Sequence, residues 1–81
     1  MDDFKTFLID ESLSSNTISA YITAVKGFKQ QYDEITKKNL LLWKTYLIEN
    51  FKAKTVNLKL QAINKYLDFI KKPNLRSKSG I

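Results

Sequence analysis

Apolar positions in residues 55–72, TVNLKLQAINKYLDFIKK, recur with the spacing of a single helical face. Val56, Leu60, Ile63, Leu67 and Ile70 form one line of alternating four- and three-residue steps, widened by Ala62, Tyr66 and Phe69. Asn57, Gln61, Asn64, Asp68 and Lys71 fall on the opposite side, with Lys54, Lys65 and Lys72 along its edge. The pattern predicts an amphipathic helix. A charged outer face is the ordinary property of any surface helix. The mixture of primary amides and lysines adds a second meaning, because amides pair with base edges and lysines with phosphates.

The same reading predicts three earlier helices. Residues 2–11 place Phe4, Phe7 and Leu8 on one face, with Asp2 and Asp3 near the positive N-terminal end. Ser14 is the expected N-cap of a second helix running to about Gln31, with Leu13 and Ile18 as a hydrophobic staple. Ile18, Tyr21, Ile22, Val25, Phe28 and Tyr32 form its inner face, and Asn16, Ser19, Thr23, Lys26 and Gln30 its outer stripe. Ala20 and Gly27 lie beside that stripe, where small residues admit a second backbone. Thr36 is the expected cap of a third helix ending near Asn50, with Leu40, Trp43, Leu47 and Phe51 inward, supported by Leu41 and Tyr46. Pro73 reads as a stop, and residues 73–81 as a polar tail or interdomain linker.

Composition narrows the class. The 81 residues make one domain, here residues 1–72, and 43% hydrophobic content is that of a packed globule. Two glycines and one proline give little punctuation for strands, so the expectation is all-α. The net charge of +6 is unevenly placed. Residues 1–34 carry three bases against six acids, and residues 35–81 eleven bases against two acids. A basic half of this kind suits a polyanion, most often nucleic acid. No run approaches a membrane span, and the acidic N-terminus is unlike a signal peptide, so the expected setting is the cytoplasm, away from membranes.

Chemistry is narrowed in the same way. Without His or Cys, nucleophile triads and the usual zinc sites cannot be built. No glycine-rich phosphate loop exists, and the acidic residues read as helix-start charges. The chain is therefore expected to hold no catalytic residue, no metal and no cofactor.

Three segments together resemble a known family: LSSNTISAYITAVKGF, EITKKNLLLWKTYL and KTVNLKLQAINKYLDFI. Their order and spacing are similar to the N-terminal core-binding domain of tyrosine recombinases, the phage-integrase group. The matching positions are Ser14, Asn16, Thr17, Tyr21, Phe28, Ile35, Thr36, Tyr46, Leu47, Thr55, Val56, Asn57, Leu60, Ala62 and Ile63. The resemblance implies a small four-helix SAM-like orthogonal bundle that clamps one face of double-stranded DNA. A separate catalytic domain would cut and rejoin the strands. Many members of the family carry Arg at the positions of Leu58 and Asn64, which shifts phosphate contact here onto lysines and amides.

The residues expected to meet DNA are Lys54, Thr55, Asn57, Gln61, Asn64 and Lys65 on the last helix, then Asn16, Thr17, Ser19, Thr23 and Lys26 on the second. The isolated domain is expected to be a monomer, and its parent protein a multimer on DNA. Two other readings stand beside this one. One is a small helical DNA-binding regulator acting alone; the other is a helical protein-interaction module whose basic face meets an acidic partner.

Overall fold

The computed structural model describes residues 2–71, and these form four helices: α1 (Asp2–Asp10), α2 (Ser15–Gln31), α3 (Lys37–Asn50) and α4 (Ala53–Phe69). No strand occurs among the described residues. Each start and stop has a local cause. Helix α1 ends where Ser12 takes a left-handed φ of 61°, a conformation that commonly closes a helix. Ser14 caps α2: its Oγ accepts from the Thr17 N–H at 3.2 Å and donates to Thr17 Oγ1 at 2.9 Å. Thr36 caps α3 by accepting from the Asn39 N–H at 3.1 Å. The Asn39 amide donates to the Glu34 carbonyl at 2.9 Å, tying the cap to the preceding turn.

The core is built on the packing of α2 against α4. Val25 and Phe28 meet Val56, Leu60, Ile63 and Leu67 in one buried cluster, with Ala24 and Ala62 allowing the helices to approach. Full burial of each such side chain contributes about 1.5–3 kcal/mol. Helix α1 closes one end: Phe4 meets the edge of Tyr66 at 5.1 Å and tilts against Phe69 at 5.5 Å. Helix α3 closes the other through Trp43, whose ring meets Phe28 edge-on at 5.2 Å. Trp43 is thus a core anchor, as its type and position suggest.

Four expectations are corrected by the packing. Helix α4 begins at Ala53 rather than Thr55 and ends at Phe69, before Lys71, which takes a φ of 62°. Pro73 and the tail lie outside the described residues. Phe51 is exposed, since the chain is already extended there; it meets Tyr46 edge-on at 6.1 Å instead of entering the core. Leu41 and Tyr46 are exposed as well, because only the strip Leu40–Trp43–Leu47 of α3 reaches the bundle. Finally, no second backbone approaches Gly27: a Cβ placed there meets nothing within 4 Å.

Candidate nucleic-acid interface

The outward side of α4 is narrower than its sequence stripe. Lys54, Leu58 and Gln61 are exposed and Lys65 is half-buried, in steps of four, three and four residues. Asn57 is half-buried, and Asn64 is only 4% exposed. Asn64 therefore cannot belong to the outer face as expected. The apolar arc is wide enough to draw its position inward, beside Leu60 on the wheel and farther away from Leu67.

Lys54, Thr55, Asn57, Leu58 and Gln61 line one open concavity of about 400 Å³. No acidic side chain lines it. Gln61 is held from the protein side, because the buried Tyr21 hydroxyl donates to its Oε1 at 3.2 Å. Asn57 turns its Oδ1 inward, where it is shielded from solvent and accepts no hydrogen bond. A buried acceptor left unpaired costs about 1–3 kcal/mol, so this orientation is not the one a purely structural amide would be selected for. The concavity adjoins the first turn of α4, whose N-cap Lys52 offers no side-chain acceptor to the helix N–H groups.

Lys65 is committed elsewhere in the free protein. Its Nζ lies 2.7 Å from Glu11 Oε1, at the turn between α1 and α2. The pair is partly open to solvent, at 32% and 41% side-chain exposure.

The α2 residues form a separate surface. Ser15, Ser19, Thr23 and Lys26 line a concavity of about 520 Å³ against α1, with Lys5, Ile9, Leu13, Ile18 and Ile22. None of the α4 stripe lines it. Asn16 is exposed at the start of α2, whereas Thr17 is half-buried and its hydroxyl accepts from Ser14. Thr17 is thus foremost part of the cap. The two stripes do not share a concavity, because α2 packs on α4 through the opposite face, that of Ile18, Tyr21, Val25 and Phe28. Three residues that shape these surfaces had no stripe to announce them. Lys5 belongs to a helix only nine residues long, Tyr21 sits among core residues, and Glu11 meets Lys65 across 54 residues of chain. Tyr21 alone carried a signal, since a buried tyrosine hydroxyl normally finds a partner.

Other cations are placed differently. Lys29 lies 4.8 Å from the Tyr66 ring centroid and Lys59 lies 5.3 Å from that of Phe51. Lys37 and Lys38 are exposed at the start of α3, where the neighbouring Asn39 amide is spent on the Glu34 carbonyl. No helix among the described residues is long and apolar enough to cross a membrane.

The fold is thus a small all-α four-helix bundle presenting a basic, amide-bearing surface on α4. The model of the phage integrase N-terminal SAM-like domain matches residues 1–74, and the chain belongs to that family. No curated protein and no solved structure matches it.

Proposed function

We propose that this chain is the DNA-binding domain of a site-specific tyrosine recombinase. It holds double-stranded DNA while a separate catalytic domain carries out strand exchange. The observation that carries the reading is the α4 concavity, where Lys54, Thr55, Asn57 and Gln61 converge with no carboxylate among them. Its lysine supplies attraction to phosphate, and its amides supply directed hydrogen bonds. The excess of bases after residue 34 favours the same partner. Family membership supports the integrase role. The domain alone is a monomer in this reading, and its parent assembles on DNA. Catalysis, in the cytoplasm, belongs to the other domain.

Titration of a 20-base-pair duplex at two salt concentrations tests the reading. Binding is expected in the non-specific range, about 10⁻⁴–10⁻⁶ M at physiological salt, and steeply salt-dependent. Absence of binding even at low salt, or binding indifferent to salt, overturns it. A second reading, a protein-interaction module, is favoured by the exposed Leu41, Leu42 and Ile48 of α3. It predicts that substituting those three residues by Ser leaves DNA titrations unchanged while abolishing association with a protein partner.

A further inference from the structure

We propose that Tyr21 is a positioning residue that fixes Gln61 as a hydrogen-bond donor, making the α4 concavity a site for phosphodiester oxygens rather than for adenine edges. The inference rests on the DNA-binding reading and names what part of the DNA this site takes.

Glutamine recognises adenine with both ends of its amide: the oxygen accepts from N6 and the nitrogen donates to N7. In this structure the oxygen is already engaged. Tyr21 Oη donates to Gln61 Oε1 at 3.2 Å, from a residue that is itself buried on the inner face of α2. The phenol stem is locked among core residues, so the hydroxyl cannot follow Gln61 outward. One lone pair of the Gln61 oxygen is taken and the carbonyl is turned toward Tyr21, so the group Gln61 directs outward is its Nε2. Asn57 behaves alike: with Oδ1 turned inward, its amide presents nitrogen to solvent. Lys54 adds an ammonium, which only donates. The concavity therefore presents donors from three side chains, with Thr55 able to donate as well.

A surface of donors with no free carboxylate complements a group that only accepts. The phosphodiester is such a group at every nucleotide, whereas in the major groove guanine N7 and O6 form one only at G·C pairs. Exposed Leu58 in the same concavity supplies apolar contact suited to the deoxyribose between phosphates. Base edges in the major groove instead mix donors with acceptors at every A·T pair. The α4 concavity thus matches the backbone at every position, and equal behaviour on A·T and G·C duplexes distinguishes that from readout of guanine.

The test uses the full chain and two 20-base-pair duplexes, one all A·T and one all G·C. Gln61→Ala should weaken binding to both by the same factor, about tenfold, which is the value of one hydrogen bond to a charged group. Gln61→Glu keeps an acceptor for the Tyr21 hydroxyl, so the packing survives, but replaces the outward nitrogen by a second oxygen. It should lower affinity for both duplexes well beyond Gln30→Glu, which makes the same charge change on the exposed stripe of α2. Tyr21→Phe releases the Gln61 oxygen. In that background the penalty of Gln61→Ala should become larger on A·T than on G·C, a change that a purely structural tyrosine would not produce.

A Gln61→Ala loss confined to one duplex in the wild-type background means that Gln61 reads a base, adenine if the loss is on A·T and guanine if on G·C, and the inference is overturned. No loss on either duplex overturns it too. Failure of the wild-type chain to bind either duplex at low salt instead removes the DNA-binding reading beneath it.

Discussion

The Lys65 ammonium sits 2.7 Å from the Glu11 carboxylate, joining the α1–α2 turn to the outward side of α4. Because both side chains are about a third or more open to solvent, the pair contributes little to stability, on the order of 0–1 kcal/mol. Its larger effect is on availability. A lysine that already faces a carboxylate must exchange that partner before it can face a phosphate.

Glu11→Gln should therefore strengthen DNA binding, by up to about fivefold at low salt, the equivalent of one exposed ion pair released. The plot of log affinity against log salt should steepen by about 0.9, one more phosphate neutralised. Paired titrations of the two proteins across a salt series check this. An unchanged slope with unchanged affinity would show that Lys65 takes no part in the complex.

Gly27→Ala should stabilise the domain. Gly27 lies inside α2, its added methyl group meets nothing within 4 Å, and glycine in a helix interior costs roughly 0.5–1 kcal/mol relative to alanine. For a domain of this size the gain corresponds to a rise in Tm of roughly 2–8 °C. A thermal melt reads it directly. A fall in Tm would mean that the open space at Gly27 is filled by something in solution.

The course of the helices was legible in the sequence because its signals are local. Ser14 and Thr36 announce two caps by side-chain chemistry, and both make the expected hydrogen bonds. Ile18, Val25, Phe28, Leu60, Ile63 and Leu67 announce their faces by spacing, and all are buried. The site was legible only in part. A wheel gives the direction of each residue but not the width of the buried arc, and that width decided the fate of Asn64. It also gives no neighbour from another helix. Glu11 beside Lys65 and Tyr21 beneath Gln61 are products of packing: Glu11 carries no mark of that role in its own segment, and the buried Tyr21 hydroxyl calls for a partner without naming which. On α3 the apolar residues surround the helix rather than lining one face, so Leu41 and Tyr46 could not be separated from Leu40 and Leu47 by pattern alone.

Leu60→Ala should remove a large share of the stability. Leu60 is 1% exposed at the centre of the α2–α4 contact. Truncation of a buried leucine costs about 2–5 kcal/mol, through lost burial and the cavity left behind. A domain of this size has roughly 4–12 kcal/mol in total. Urea denaturation should show the midpoint displaced strongly to lower concentration with an unchanged slope. A midpoint close to that of the parent would mean that Leu60 does not face α2.

Two substitutions separate a built site from diffuse positive charge. Lys54 is the second residue of α4 and Lys38 the second residue of α3, and both are exposed. Lys54→Glu and Lys38→Glu thus change net charge by the same amount at equivalent helix positions. Each also places an acid in a first turn, where the helix dipole favours it by about 0.3–1 kcal/mol, so neither should harm folding. Long-range attraction to DNA responds to both alike, since it follows total positive charge. What differs is the company each lysine keeps. Lys54 shares its concavity with Thr55, Asn57 and Gln61. Lys54→Glu should accordingly lower duplex affinity at low salt by about tenfold or more, as expected for a lost hydrogen bond to a charged group. Lys38→Glu should lower it by about twofold, as expected for screened charge at a distance. Both proteins should keep the helical spectrum and melting of the parent. Equal losses in the two variants would assign the binding to overall charge, and the α4 concavity would lose its claim to be the interface.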